Sequence, residues 1–213
     1  MLPPLYIGIL VLVVGILRLI FPHLNLKLSD NWKRELFETM DAIVFAGVTA
    51  LFLITYIAQI YYIPSESMVP TLKKVDCLLV SKLVYRLRDP KRGEVIIFRP
   101  PETAHARGKE FVKRLIGLPG DNIAIKDHQV IINNIPLKKE DYLKETMFFD
   151  MDQVKIPQDH YFVMGDNRNN SDDSRYWGFL PRQNIDGKAL FVFFPPWRIK
   201  GLKIPAYPEL NLP

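Results

Sequence analysis

The sequence has a single cysteine, Cys77, so no disulfide can form within the chain and a disulfide-braced scaffold is excluded. It has no His/Cys spacing of the zinc type and no Gly-rich phosphate loop, so neither a metal nor another cofactor is expected. The four histidines, His23, His105, His128 and His160, are scattered among turns and alternating segments, where surface or structural roles outweigh catalysis. A Ser-His-Asp triad therefore has no good histidine here. No internal repeat and no low-complexity tract occurs. Charge is also missing locally: residues 1–17 and 42–65 contain no Asp, Glu, Lys or Arg.

What is present reads differently as an average and as a pattern. Over 213 residues, 48% are hydrophobic and 24% charged, the proportions of an ordinary soluble protein. The apolar residues are not spread evenly, however. The run Leu5 to Leu17, continued past Arg18 by Leu19-Ile20-Phe21 and stopped by Pro22, is just long enough to span a bilayer if Arg18 snorkels. A cleavable signal peptide is the alternative; it lacks a positive n-region and a small-x-small cleavage site. Ala42 to Ile63 forms a stronger second span, with Tyr56, Tyr61 and Tyr62 toward one end as in an aromatic belt. A buried soluble helix is the bland reading of that segment, and its uncharged length opposes it. The organisation expected is a transmembrane helix over 1–22, a cytoplasmic loop over 23–41, a second transmembrane helix over 42–63 and an outer domain over 64–213. Lys27, Lys33 and Arg34 in the loop, with Arg18 at its border, place it inside and both chain ends outside by the positive-inside rule.

Residues 1–63 hold equal numbers of acidic and basic side chains, so the whole formal charge of +5 belongs to 64–213. A basic domain tethered outside a membrane most simply meets anionic lipid headgroups. Nucleic acid is not expected as a partner, since no recognition motif occurs. Within 64–213 short runs rich in Val, Ile and Phe alternate with turn signals: Cys77–Val80, Val95–Phe98, Phe111–Val112, Asn122–Ile125, Val130–Ile132, His160–Met164 and Ala189–Phe194. That spacing predicts a mostly-β domain, an antiparallel barrel or sandwich. Lys126–Gln129 and Asn133–Pro136 read as hairpin tips of a β-ribbon.

Three stretches carry possible chemistry. In Ile63-Pro-Ser65-Glu-Ser67-Met-Val-Pro70-Thr-Leu72 two serines alternate on an extended segment and can face one cleft, although a polar turn at a membrane exit looks the same. In Phe111-Val-Lys113-Arg114-Leu-Ile-Gly117 neither strand face is polar, so at least one cation is half-buried; an edge strand with snorkelling cations is the alternative. A desolvated lysine loses its proton more easily, and moving it from about 10.4 to about 8 costs roughly 3 kcal/mol. The neutral amine could then take a proton from a serine. The third stretch, Gly165-Asp-Asn-Arg-Asn-Asn-Ser171-Asp-Asp173-Ser-Arg175-Tyr-Trp-Gly178, suits a rigid hydrogen-bonded turn supporting a site. A calcium loop is the other reading, which its arginines oppose.

Together with Arg92–Phe98 and Val112–Asp121, these stretches resemble the bacterial type I signal (leader) peptidases, membrane-bound Ser/Lys endopeptidases, in the family's order and over essentially the whole chain. The resemblance implies Ser67 as nucleophile and Lys113 as general base. It implies an oxyanion hole from the Ser67 N–H and the Ser65 hydroxyl, with Ser171 orienting the lysine amine. Arg114 with Asp166, and Asp173 with Arg175, would be supporting ion pairs. Ile63, Pro64, Met68, Leu72, Phe111 and Val112 would line a shallow pocket for alanine-sized side chains. A small second β-domain is implied over approximately 100–110 and 122–155. The expected substrates are exported preproteins cut after small residues at −1 and −3, and the expected enzyme is a monomer at the outer face of a bacterial cytoplasmic membrane. Rival readings are a dedicated pilin-type peptidase of the same family and a non-catalytic scaffold that binds exported chains.

Overall fold

The computed structural model of the chain describes residues 4–23, 29–104, 106, 108–137, 143, 145–205, 207 and 210; Lys27 and His105 lie outside them. The chain divides into two units, Met1–Gln59 and Ile60–Pro213.

The first unit is helical. α1 spans Pro4–Ile20 and ends in a tighter turn over Phe21–His23. α2 spans Asp30–Phe52 and runs on through a wider turn over Leu53–Ile57, closed by the Ala58 N–H donating to the Leu53 carbonyl. Leu5–His23 and Asp30–Ile57 are long and apolar enough to cross a membrane. The helices pack closely at Gly47, where a Cβ would overlap the Val11 side chain. Arg18 Nε donates to Asp41 at 2.8 Å, and its guanidinium lies 4.2 Å from the Phe37 ring centre.

Two boundaries differ from the sequence expectation. Residues 30–41, expected in a loop over 23–41, are helical: the Ser29 hydroxyl accepts from the Trp32 N–H, Asp30 sits at the positive helix end, and Arg34 and Glu38 pair at i,i+4. The second helix, expected over 42–63, stops at Ile57, because Ala58–Tyr62 is a strand, β1. Its Ile60-Tyr61-Tyr62 run favours extended backbone as strongly as a buried helix, and Pro64 bars a helix from continuing.

The second unit is mostly antiparallel β-structure. Cys77–Ser81 forms β2, and Val84–Leu87 a single turn, α3. There follow β3 (Val95–Phe98), β4 (Phe111–Gly117), β5 (Asn122–Lys126), β6 (Gln129–Ile132), β7 (Ile135–Pro136), β8 (Met151–Lys155) and β9 (His160–Met164). The short α4 covers Ser174–Trp177, and β10 (Leu180–Pro181), β11 (Ile185–Phe194) and β12 (Lys200–Gly201) are the last strands among the described residues. The main sheet has the order β1-β2-β11-β3-β4-β9-β10, with β12 also paired to β11; the second has the order β7-β6-β5-β8.

The central strands are covered on both faces, which explains their unbroken apolar runs. Val95 and Ile97 of β3 pack with Met68, Leu72 and Leu78, whereas Ile96 and Phe98 pack with Leu115, Val163 and Trp177. Ile116 of β4 joins Ile123, Ile125 and Phe162 in a third cluster under the second sheet. Two-residue turns close β5–β6 and β6–β7, with Asp127, His128, Asn133 and Asn134 all at positive φ, the conformation such hairpins require. A buried carboxylate, Glu94, ties the start of β3 to its surroundings by accepting from Arg88, Tyr85, the Lys91 N–H and Lys188. Burial alone would push its carboxyl up, and these donors hold it down at about 2.

The second sheet lies within 122–155. The other part of the expected small β-domain, residues 100–110, contains no strand among its described residues. It holds a 3-10 turn, Glu102–Ala104, anchored by Thr103 Oγ1 donating to the Trp177 carbonyl at 2.9 Å. Pro100 and Pro101 remove two ladder donors, so this stretch cannot extend a sheet.

Candidate active site

Three segments meet at one cleft. After β1 the chain turns through Ile63–Leu72, and Ile63 N–H donates to the Asp76 carbonyl at 2.9 Å. β4 supplies the second wall. The segment after β9 supplies the third, stitched to the first by Asn167 N–H donating to the Ser67 carbonyl at 3.0 Å and by Asn167 Nδ2 donating to the Glu66 carbonyl at 3.2 Å. Gly165 permits this approach, because a Cβ there would overlap both the Ser171 hydroxyl and the Ser67 carbonyl.

The cleft has a volume of about 590 Å³ and is lined by Tyr61 to Met68, Lys109 to Lys113, Asn170 and Asp172. Ser67 Oγ lies 2.7 Å from Lys113 Nζ and 3.3 Å from Ser65 Oγ. Lys113 is 4% exposed, shares a strand face with Phe111, and places its amine 5.3 Å from that ring centre. Burial pushes its ammonium down to about 8, against the pull of Asp173 and Asp172, which favour the charged form. The lysine can therefore be a neutral base at hydrogen-bond distance from a hydroxyl.

Arg114, the next residue on β4, points to the opposite face. Its Nε and Nη2 donate to the two carboxylate oxygens of Asp166 at 2.8 and 2.6 Å, and its Nη1 to the Gly93 carbonyl at 2.8 Å. Asp173 receives Arg175 at 2.7 and 2.8 Å, accepts from the Gly165 N–H, and caps α4. Both pairs are buried and clamp the turn that carries Ser171. The Ser171 hydroxyl is buried beside Gly165 and has no hydrogen-bond partner among the described residues.

Of the expected pocket residues, Ile63, Pro64, Met68, Phe111 and Val112 line the cleft. Leu72 does not. It is fully buried in the core with Leu78 and Val95, because its N–H closes a helical turn onto the Met68 carbonyl and rotates it beneath the cleft floor. Tyr61, Tyr62, Lys109, Glu110, Asn170 and Asp172 line the cleft without having been singled out for it in the sequence. The Tyr61 hydroxyl donates to Glu110 Oε1 at 3.2 Å across 49 positions, a pairing for which no local pattern exists. No described histidine lines the cleft; His128 and His160 instead contact the backbone carbonyls of Met147 and Gln158.

Comparison with known proteins places the chain in a family. The signal peptidase, peptidase S26 family profile matches residues 36–194. A probable signal peptidase I-2 from Synechocystis sp. is 43% identical over 172 residues, covering 80% of this chain and 77% of that protein. A signal peptidase I from Leptolyngbya laminosa is 41% identical over 174 residues, covering 80% and 85%. One from Bacillus licheniformis is 38% identical over 178 residues, covering 78% and 93%. With the family profile matching most of its length and close relatives aligned across both units, the chain belongs to the signal peptidase (peptidase S26) family.

Proposed function

We propose that the chain is a membrane-anchored signal peptidase I in which Ser67 is the nucleophile and Lys113 the general base. The observation that carries this reading is a buried lysine amine 2.7 Å from a serine hydroxyl in an apolar cleft. The neutral amine takes the Ser67 proton as Oγ attacks the scissile carbonyl carbon. The tetrahedral oxyanion that forms is met by the Ser67 N–H and the Ser65 hydroxyl. The resulting ammonium then protonates the leaving amine as the C–N bond breaks, and water hydrolyses the acyl-enzyme by the same route. Ser171 lies on the turn clamped by the Arg114–Asp166 and Asp173–Arg175 pairs, and its role in this mechanism is to orient the amine once substrate is bound.

The strand register supports an extended substrate. β9 pairs with β4 at Arg114, Leu115 and Gly117 only, which leaves the Phe111–Lys113 edge open on that side among the described residues. A peptide can add there as a further strand, so backbone pairing supplies affinity and the pocket between Ile63, Met68 and Val112 reads one small side chain. The substrates are exported preproteins with small residues at −1 and −3. The basic, β-rich unit works as a monomer at the outer face of the cytoplasmic membrane, against anionic lipid, with the 23–41 segment inside.

The test is cleavage of a preprotein by the full chain in lipid, with the new N-terminus sequenced. Replacing the −1 alanine of the substrate with phenylalanine should lower the rate about a hundredfold, since overfilling a packed pocket costs about 1–3 kcal/mol. Binding without cleavage would favour the scaffold reading, and indifference to the −1 side chain would remove the pocket assignment. Ser65→Ala should slow cleavage about a hundredfold without abolishing it, the usual effect of losing one oxyanion donor. An unchanged rate would take Ser65 out of that role.

A further inference from the structure

One carboxylate on the cleft wall has no part in the chemistry described above. Asp172 lines the cleft with Lys113 and Asn170, is exposed, and makes no hydrogen bond or ion pair to any described residue. The other carboxylates near the amine are each neutralised. Asp173 is held at two points by Arg175, and Asp166 at two points by Arg114, which shares β4 with the lysine. A carboxylate gripped by a guanidinium acts on its surroundings as a dipole, whose field falls off faster than that of a charge. Elsewhere on the cleft, Glu66 is paired with Lys74 at 3.2 Å, while next to β4 Glu110 keeps its charge, accepting only from the neutral Tyr61 hydroxyl, and Lys109 contributes a cation. Of the carboxylates that bear on the Lys113 amine, Asp173, Asp172 and Asp166, Asp172 is therefore the one, among the described residues, with no guanidinium to offset its charge.

We propose that Asp172 is a positioning residue for the Ser67–Lys113 pair: its unpaired carboxylate holds the proton on Lys113 and so sets the pH at which the base becomes competent. This rests on the assignment of Lys113 as general base. The electrostatics of the site run the same way, with burial favouring the neutral amine and Asp173 and Asp172 opposing it most among the carboxylates. Of those two, Asp173 is committed to Arg175, to the Gly165 N–H and to capping α4, so its removal would dismantle the turn. Asp172 can be neutralised without breaking any hydrogen bond to a described residue.

The direction of the effect follows from Coulomb's law. A negative charge stabilises the ammonium form, so removing it lets the proton leave at lower pH. In Asp172→Asn the acid limb of kcat/KM, normalised to the variant's own plateau, should move down by on the order of half a pH unit. At a pH well below the midpoint this reads as a rise of about threefold in the normalised rate. Asp172→Ala should move the limb the same way, and Asp172→Glu, which keeps the charge, should restore the wild-type midpoint. Raising the ionic strength to about 1 M should lower the wild-type midpoint and leave that of Asp172→Asn in place, because the carboxylate is exposed and open to screening.

An Asp172→Asn midpoint equal to the wild-type value would overturn the proposal, as would an Asp172→Glu variant that behaves like Asp172→Asn. A wild-type profile with no acid limb near pH 8 would instead overturn the assignment of Lys113, on which the proposal stands.

Discussion

Lys113→Met should lower kcat/KM for preprotein cleavage by about 10⁴-fold or more and should at the same time make the folded protein more stable at neutral pH. The first effect follows from the proposed chemistry: without the Lys113 amine, no base among the described residues stands at hydrogen-bond distance from Ser67 Oγ. The second follows from what the amine costs. Burial lowers the lysine from 10.5 to about 8, a difference worth about 3 kcal/mol against the folded state when the surrounding pH is below both values. Between about 8 and 10.5 the unfolded chain binds the proton that the folded one has released, so stability rises with pH across that window and the cost fades. Methionine fills a similar volume without a charge, so the variant should gain up to about 3 kcal/mol at pH 7 and little at pH 10.5. Denaturant unfolding of the full chain at the two pH values measures this. A variant less stable than wild type at pH 7 would show that the amine is solvated rather than buried. Ser67→Ala should be as inactive as Lys113→Met, and the double variant no slower than either single one, if the two side chains act as one unit as proposed. Additive losses would separate them.

Arg114→Met should have the largest cost in stability, about 3–5 kcal/mol, because it leaves the Asp166 carboxylate buried without its partner. The Arg114 and Asp166 side chains are 1% and 0% exposed, and the guanidinium also serves the Gly93 and Lys203 carbonyls. The double variant Arg114→Met/Asp166→Asn removes both charges and should recover part of that loss. A double variant as damaged as the sum of the singles would mean that backbone contacts, rather than the charge pair, hold the turn. The exposed pair Lys74–Glu66, with side chains 58% and 53% exposed, is the contrast: breaking it should cost no more than about 1 kcal/mol.

The parts of this architecture that can be read from the sequence are those written in short-range patterns. The strand run at Val95–Phe98 is an unbroken β-branched and aromatic segment, and His160–Met164 has Tyr161, Phe162 and Val163 at its centre. Asp127-His128 and Asn133-Asn134 tolerate positive φ, so both hairpins are visible. Ser67 and Lys113 are each ambiguous alone, and the family resemblance of the three stretches singles them out; the serine segment in fact turns at Ser67 rather than staying extended. The start of α2 was equally available, in Ser29-Asp30 and the i,i+4 pair Arg34–Glu38, but a charged stretch between apolar runs invites a loop assignment. Its end was not, since Ala58–Tyr62 suits either a helix or a strand and only pairing in the sheet decides. Glu94 is a different case. Its partners include Lys188 on β11, and nothing within a few residues of it signals a buried acid. The same holds for Tyr61 and Glu110, which meet only when two cleft walls are assembled.

The early end of α2 bears on which membranes suit the anchor. Helix remains over about 16 apolar residues between Asp41 and the start of β1, roughly 24 Å at 1.5 Å per residue, against a hydrocarbon core of about 30 Å. On α1 the uncharged run before Arg18 is no longer. Such a pair fits a thin bilayer without distortion. In a thicker one, either the lipid must pinch inward around the helices or the Arg18–Asp41 pair must be drawn below the headgroups. The 2.8 Å contact between those two side chains makes the second route cheaper, since what sinks is a neutral couple rather than two separate ions.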